Sequence, residues 1–236
     1  SSLEELGIEF TGKQISLLIN YLELIYDYNK HLNIVGTKDK KSILIRHFLD
    51  CISILKYKKI LFGYEHKFNR ILDVGTGAGL PGILLAIFLE NDSFYMLDKK
   101  LRKINFLKKV VGELSLSNVE LIRGKAEELA HSSSYREKFD LVLTRALTKF
   151  NVASELVIPF CKINGKIVFY KSKKIFKELK SFGKVISKLG GKVYRLQQIE
   201  VPNLNEFRIL LVLLKVNSSP CEYPRSIAKI KKIPLE

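Results

Sequence analysis

The residues best suited to chemistry are three glycines and a carboxylate in one short apolar segment. Residues 71–82 read Ile-Leu-Asp-Val-Gly-Thr-Gly-Ala-Gly-Leu-Pro-Gly. The apolar start predicts a buried strand, and Gly75, Gly77 and Gly79 suit a turn of positive φ that a ligand approaches closely. We expect Pro81 to open the following helix, because its missing N–H costs nothing in the first helical turn. This pattern is typical of a nucleotide-type cofactor site.

Two classes of cofactor fit this turn. Gly77, Gly79 and Gly82 match the G-x-G-x-x-G dinucleotide pattern, in which a pyrophosphate binds at a helix N-terminus. The register Asp73-x-Gly75-x-Gly77-x-Gly79 instead resembles motif I of the S-adenosylmethionine (SAM)-dependent methyltransferases. The glycines alone do not separate NAD from SAM.

A second carboxylate supports either cofactor. Residues 94–98 read Phe-Tyr-Met-Leu-Asp and predict the next strand. Asp98 would lie at the carboxyl end of that strand, about 20 residues past the glycines, where an acid can bond ribose hydroxyls. The sequence therefore predicts that the bound cofactor contains a ribose.

The alternation of elements predicts an α/β fold. From Arg70 to Leu189, short apolar strands alternate with helical patterns, which requires a mostly parallel sheet with helices on both faces. The last predicted strands, Lys192–Ile199 and Arg208–Lys215, are joined by a Pro-Asn loop without room for a helix, so they should be antiparallel. We expect a Rossmann-like SAM-dependent methyltransferase fold, with seven strands of which one is antiparallel. Dehydrogenase sheets are usually all parallel, so the hairpin favours SAM over NAD.

The chain is predicted to begin with helices. Apolar residues recur at helical spacing between Ile15 and Tyr26, after a plausible cap at Thr11, and again over Ile43–Leu55. A helix is also expected over Ile175–Leu189. The expected organisation is a helical extension packed on the core (1–66), a methyltransferase domain (67–216) and a basic tail (217–236).

The charge of the chain favours a polyanionic partner. Its formal net charge is +16, and the basic residues form blocks of one sign. Residues 162–192 carry ten lysines against a single acid, Glu178, and residues 99–109 carry six basic side chains and no acid. A solvated surface usually mixes both signs, so these blocks favour phosphate contacts, although biased genome composition is an alternative explanation.

The remaining composition excludes several classes of protein. Three distant cysteines and four scattered histidines, without ligand spacing, argue for reduced thiols and against a metal site. No apolar stretch reaches the ~20 residues of a membrane span, and no secretory signal is visible. We expect a cytoplasmic protein without metal, and a monomer, because a polyanion such as nucleic acid must reach an open crevice.

Seven motifs span nearly the whole chain, and they are Tyr28–Ile34, Arg46–Asp50, Asp73–Gly82, Leu97–Asp98, Lys125–Glu128, Phe139–Ala146 and Tyr223–Leu235. Together they resemble one family, the bacterial small-subunit (16S) ribosomal RNA guanine-N7 methyltransferases, RsmG or GidB. The chain departs from the family pattern at Lys125, where arginine is frequent, and at Ser172, where glycine is usual. It also has Ser226–Ile230 where the family tends to carry a Gly-Thr-Pro run.

The resemblance implies a role for individual residues. It places SAM against Asp73, Gly75, Gly77, Leu80, Asp98, Ala126, Glu127 and Arg145, with Asp98 at the ribose and Ala126 and Glu127 flanking the adenine. Arg145 and Lys171 would be catalytic, in contact with the guanine or its phosphate. RNA contacts are expected from Lys125, Lys171, Lys173, Lys174 and Arg225. The implied partner is small-subunit ribosomal RNA or the small ribosomal subunit.

The implied reaction needs no general base. Guanine N7 presents an in-plane lone pair, so catalysis would come from holding N7 in line with the sulfonium methyl group. Three alternatives stay open: a methyltransferase for another RNA such as transfer RNA, a basic RNA-binding protein with a vestigial SAM site, and, least favoured, an NAD-dependent oxidoreductase.

Overall fold

The core of the protein is a seven-stranded sheet. The computed structural model describes residues 2–63, 68–177 and 182–236, and for Lys177 it describes the backbone alone. The strands are β1 (Arg70–Val74), β2 (Ser93–Asp98), β3 (Val119–Arg123), β4 (Phe139–Arg145), β5 (Cys161–Ser172), β6 (Gly191–Ile199) and β7 (Arg208–Lys215).

The strand order confirms the predicted fold. The order is β3-β2-β1-β4-β5-β7-β6, and β7 runs antiparallel to both of its neighbours, β5 and β6. The strands from β3 to β5 are parallel. The order of the chain reverses between β1 and β4, so a crevice opens there at the carboxyl ends of the strands, where ligands bind in such sheets.

The helices surround this sheet. They are α1 (Ser2–Glu5), α2 (Gly12–Leu32), α3 (Lys40–Ile43), α4 (Asp50–Ile52), α5 (Lys58–Phe62), α6 (Gly82–Phe88), α7 (Leu101–Glu113), α8 (Ala126–Leu129), α9 (Phe150–Val157), α10 (Phe182–Lys188) and α11 (Ile227–Lys232). A π-helical turn covers Leu44–Leu49, and 3₁₀ turns cover Ser53–Leu55, Ile158–Phe160 and Lys173–Lys177.

Some predicted helices differ in detail from the structure. Pro81 immediately precedes α6 rather than lying within it. The helix expected over Ile43–Leu55 is interrupted by the π-helical turn. The helix expected over Ile175–Leu189 is a 3₁₀ turn followed by α10, and residues 178–181, including Glu178 and Lys180, lie outside the described residues.

The N-terminal helices share the core of the sheet. Thr11 begins α2 with a capping box in which Thr11 and Gln14 bond each other's backbone N–H groups. Tyr21 and Phe48 are fully buried in the same apolar cluster as Ile71 of β1. The expected extension therefore packs on the core. The boundary drawn between residues 66 and 67 lies outside the described residues and stays a prediction.

Helix α2 also supports the glycine turn from behind. The Tyr21 hydroxyl donates a hydrogen bond to the carbonyl of Ala78 at 2.5 Å. Lys103 of α7 is buried, and its ammonium donates to the carbonyl of Ile34 at 2.7 Å. These contacts fix the N-terminal helices against the edge of the sheet that carries the crevice.

Candidate active site

Asp73 holds the glycine turn in shape from within the core. Its side chain is fully buried, and Oδ2 accepts hydrogen bonds from Thr76 Oγ1 at 2.7 Å and from the Gly82 N–H at 3.0 Å. Burial raises the pKa of the Asp73 carboxyl to about 6, although both hydrogen bonds act in the opposite direction. Asp73 thus ties the end of β1 to the start of α6.

The glycines of the turn adopt left-handed conformations. Gly75, Gly77 and Gly79 have φ values of 71°, 60° and 92°. A Cβ at Gly79 would lie 2.5 Å from the Ile83 side chain, so packing alone requires glycine there. A Cβ at Gly77 would meet only the Gly75 carbonyl oxygen within 4 Å, at 3.8 Å. The side chain of a residue substituted for Gly77 would therefore enter open space that a ligand could fill.

Gly77 faces a first cavity of about 350 Å³, which we call the turn cavity. Five of the predicted cofactor residues line it, namely Gly75, Gly77, Asp98, Ala126 and Glu127. Leu147, Val152 and Leu156 add an apolar wall, and Lys99, Lys100 and Lys103 add basic groups. Its volume is within the range of sites for cofactor-sized ligands.

Hydrogen bonds fix the Asp98 carboxylate at the carboxyl end of β2. Its Oδ2 accepts from the Gly77 N–H at 3.0 Å, and its Oδ1 accepts from the Lys100 N–H at 2.9 Å. The side chain is half-buried and lines the turn cavity, so lone pairs remain for ligand hydroxyls. These residues suit a ligand that has a ribose for Asp98, an apolar ring for the apolar wall and a further group that contacts the backbone of the glycine turn.

Three predicted cofactor residues do not line the turn cavity, and one of them is the buried Asp73 described above. Leu80 is only 6% exposed and packs into the core shared with the N-terminal helices. Arg145 lines a second, adjoining cavity of about 560 Å³, the arginine cavity. Ala146 and Thr148 line both cavities, so the two sites meet directly after β4.

The arginine cavity is organised by one buried carboxylate, Asp50. Arg145 donates to Asp50 Oδ2 from Nε at 3.1 Å and from Nη2 at 2.9 Å. Arg208 Nε lies 3.4 Å from Asp50 Oδ1. The Asp50 side chain is 3% exposed, whereas those of Arg145 and Arg208 are 15% and 16% exposed. The carboxylate therefore holds the Arg145 guanidinium by hydrogen bonds and forms an ion pair with Arg208, whose Nη2 donates to Glu206 Oε2 at 2.8 Å.

His47 completes this network in one tautomer. Arg145 Nη2 donates to His47 Nδ1 at 3.1 Å, and because arginine has no acceptor, Nδ1 must be unprotonated. His47 Nε2 then donates to Thr37 Oγ1, also at 3.1 Å. Burial lowers the pKa of His47 to about 4, and the charges of Arg145 and Arg46 act in the same direction. His47 is therefore a neutral support for Arg145.

The sequence contained a signal for this network. The pattern Arg46-His47-x-x-Asp50 places its residues on one helical face, and this segment is one of those that resemble the family. The π-helical turn Leu44–Leu49 carries Arg46 and His47 and leads into Asp50. Single π-helical turns within helices frequently occur at functional sites. Arg208 was missed because it meets Asp50 only through the tertiary fold.

The predicted RNA-binding residues have different surroundings. Lys171 is half-buried, lines the arginine cavity and lies 5.7 Å from the Phe150 ring centroid. Lys174 lines the same cavity, and Lys173 beside it is exposed. Lys125 is exposed, with its ammonium 2.6 Å from Glu128.

Arg225 differs from the other predicted RNA contacts. Its guanidinium forms a bidentate ion pair with the fully buried Glu155, at 2.8 and 2.7 Å. This pairing makes Arg225 an anchor of the C-terminal residues on α9, which is a different role from the predicted contact with RNA.

The described part of the chain contains neither a disulfide nor a metal-ligand cluster. Among its residues, no cluster of three or more His, Cys, Asp or Glu side chains could hold a metal ion. No described helix is both long and apolar enough to cross a membrane. Cys51, Cys161 and Cys221 are free thiols, and the first two are buried.

Comparison with known proteins decides the family. The model of the GidB family, described as rRNA small subunit methyltransferase G, matches residues 14–205. The chain belongs to the GidB family. Family members of that name from Alkaliphilus oremlandii and Clostridium tetani are 35% and 34% identical to it. The alignments cover 98% and 100% of this chain and 95% and 97% of theirs.

Solved structures agree with this fold for a GidB-family protein. A SAM-dependent methyltransferase from Aquifex aeolicus aligns with a TM-score of 0.53 and 21% identity, over 74% of this chain and 93% of that one. TYW2 of M. jannaschii, solved with AdoMet, aligns with a TM-score of 0.50 and 18% identity, over 69% and 76%. These structures show the fold alone, whereas the family model and the relatives confirm the resemblance noted in the sequence.

The His47 network predicts a pH dependence of stability. The pKa of His47 is about 4 in the folded protein against 6.5 for a free histidine, so the unfolded chain binds a proton first as pH falls. Stability is then lost between about pH 6.5 and pH 4, by up to about 2 kcal/mol at pH 5. His47→Gln should remove this component, as measured by urea unfolding at pH 7.5 and pH 5.

The control for this measurement is His31→Gln, an exposed position on α2. The control should retain the pH dependence of the unsubstituted protein. A His47→Gln variant with the same pH dependence would contradict the assignment.

Proposed function

We propose that this protein transfers the methyl group of SAM to N7 of a guanine in small-subunit ribosomal RNA. The observation that carries the proposal is the direct contact between two cavities at Ala146 and Thr148. One fits an adenosine-containing cofactor and the other presents paired arginines. Membership of the GidB family and the names of its relatives support the choice of ribosomal RNA.

SAM would occupy the turn cavity. The backbone of Gly75 and Gly77 leaves space for the cofactor, and Asp98 would accept hydrogen bonds from its ribose hydroxyls. Ala126 and Glu127 also line this cavity and would flank the adenine. When bound, SAM supplies an electrophilic methyl group.

The guanine would enter the arginine cavity. Arg145, Lys171 and Arg208 line it and provide donors for a phosphate or for the O6 edge of the base. Among the described residues of its wall there is no histidine or cysteine. N7 methylation needs neither, because no proton leaves in the transfer step. The contribution of these residues is to position N7 against the methyl group, which can supply several kcal/mol, on the order of 5.

The direct test is methyl transfer from labelled SAM. Small ribosomal subunits, free ribosomal RNA and transfer RNA are assayed in parallel, and N7-methylguanine is mapped by cleavage at the modified base. We expect label at a single guanine of small-subunit RNA. Label in transfer RNA alone would show that transfer RNA, and not small-subunit ribosomal RNA, is the substrate. SAM binding without label in any RNA would indicate a different acceptor or a vestigial site.

The free space beside Gly77 gives a prediction for cofactor binding. Gly77→Ala should fold, with about 1–2 kcal/mol of left-handed strain, yet its methyl group would occupy the space needed by SAM. We expect at least a tenfold loss of SAM affinity, or about 1.4 kcal/mol, in equilibrium dialysis.

The matched control is Gly7→Ala. Gly7 has a φ of 66° and, like Gly77, has open space where a Cβ would lie, but it is outside the turn cavity. The Gly7→Ala variant should lose similar stability and keep its SAM affinity. Equal SAM affinity in both variants would argue against a cofactor at Gly77.

Arg145 is expected to act on the acceptor rather than on the cofactor. Arg145→Ala should lower the turnover number by about 100-fold or more, with SAM affinity changed less than about threefold. Single-turnover transfer and SAM dialysis measure the two effects separately. Arg195→Ala, on the exposed face of β6, is the control and should change neither. Equal losses of turnover and SAM affinity would assign Arg145 to the cofactor instead.

A further inference from the structure

The chain continues past β7 and returns to the turn cavity. Residues 219–235, which we call the C-terminal segment, include α11 and follow the last strand of the sheet. Two of their side chains, Ile227 and Lys231, line the turn cavity together with residues from β1, β2 and α9. They are four positions apart on α11 and therefore lie on the same helical face.

We propose that the C-terminal segment is part of the cofactor site, with Ile227 and Lys231 forming the outer wall around the adenine of SAM. The proposal rests on the proposed function for the identity of the cofactor. It adds two binding residues that lie outside the glycine turn and the strand ends.

The segment is held firmly at the start of α11. Glu155 of α9 is fully buried, and it accepts hydrogen bonds from the Arg225 backbone N–H as well as from the Arg225 guanidinium. Charge-assisted bidentate pairs of this kind fix orientation as well as position. Ile227 follows two residues later, so its place in the cavity wall is determined by this anchor.

A second set of contacts holds the residues on either side of α11. The Arg136 guanidinium donates to the carbonyls of Ser219, Pro220 and Tyr223, at 2.7 to 3.0 Å. Ile230 of α11 is fully buried, and Leu235 beyond the helix is 6% exposed. The segment is therefore docked along its length, and α11 lies over α9 in a defined position.

The side chains of the segment suit the adenine half of SAM. Ile227 is half-buried and packs in the same apolar cluster as Leu147 and Ala126. Leu147, Val152 and Leu156 form the rest of the apolar wall, and a purine ring packs well against such a surface. Lys231 is exposed at the rim, where its ammonium can donate to the acceptor nitrogens of the ring.

The test measures SAM affinity by equilibrium dialysis in two variants and two matched controls. Ile227→Ala should weaken SAM binding about 5- to 20-fold, and Lys231→Ala about threefold. Ile233→Ala and Lys232→Ala should stay within about twofold, because Ile233 is 60% exposed and Lys232 is exposed, and neither lines the cavity.

Adenosine is the second probe and isolates the adenine end of SAM. Its affinity, measured by displacement of labelled SAM, should fall in parallel with that of SAM in Ile227→Ala. A loss for SAM with unchanged adenosine affinity would overturn the assignment to the adenine. Because Lys231 is exposed, Lys231→Ala leaves the fold intact and keeps the test decisive if Ile227→Ala fails to fold.

The outcomes separate this inference from the proposed function. If the unsubstituted protein binds SAM and transfers methyl groups, but Ile227→Ala and Lys231→Ala bind SAM as tightly as their controls, the inference is wrong and the proposed function stands. If the unsubstituted protein binds no SAM, the proposed function itself is contradicted.

Discussion

The buried ion pair of Asp50 with Arg145, joined by Arg208, is the interaction on which the arginine cavity depends. A carboxylate that is 3% exposed is stable only with paired charge, and here both partners come from the sheet, from the ends of β4 and β7. Asp50 itself comes from the N-terminal helices. The ion pair thus joins the two parts of the chain at the crevice and sets the direction of the Arg145 guanidinium.

The cofactor side depends on support from outside the sheet as well. Tyr21 of α2 bonds the carbonyl of Ala78 within the glycine turn, and a side chain at Gly79 would collide with Ile83 and approach the Tyr21 hydroxyl. The turn is therefore supported by α2, while α11 contributes Ile227 and Lys231 to the lining of the turn cavity. Residues from before and after the strands of the sheet thus contribute to this region.

Local patterns in the sequence were sufficient for most of the fold. The alternation of strands and helices, the glycine turn and the carboxylate at Asp98 are short-range signals, and the structure has each of them at the expected place. The antiparallel strand followed from loop length alone, because the residues between β6 and β7 leave no room for a helix.

The sequence was a poorer guide to contacts between distant residues. The resemblance predicts an RNA contact for Arg225, and the structure shows in addition that Arg225 pairs with Glu155, whose complete burial on α9 has no local signature. Leu80 follows the glycines directly, yet the fold turns its side chain into the core. The partnership of Asp50 with Arg208 depends on the sheet order, and the irregular π-helical turn before Asp50 is not visible in a helical pattern.

A double-mutant cycle tests most directly whether Asp50 acts by orienting Arg145. The methyl-transfer rate to small ribosomal subunits is measured at saturating SAM for Asp50→Asn, Arg145→Lys and the double variant. If Asp50 acts through Arg145, the double variant is no slower than the slower single variant, within about threefold, and SAM affinity is unchanged in all three. Losses that multiply in the double variant would show that the two residues act independently and would contradict the orienting role of the ion pair.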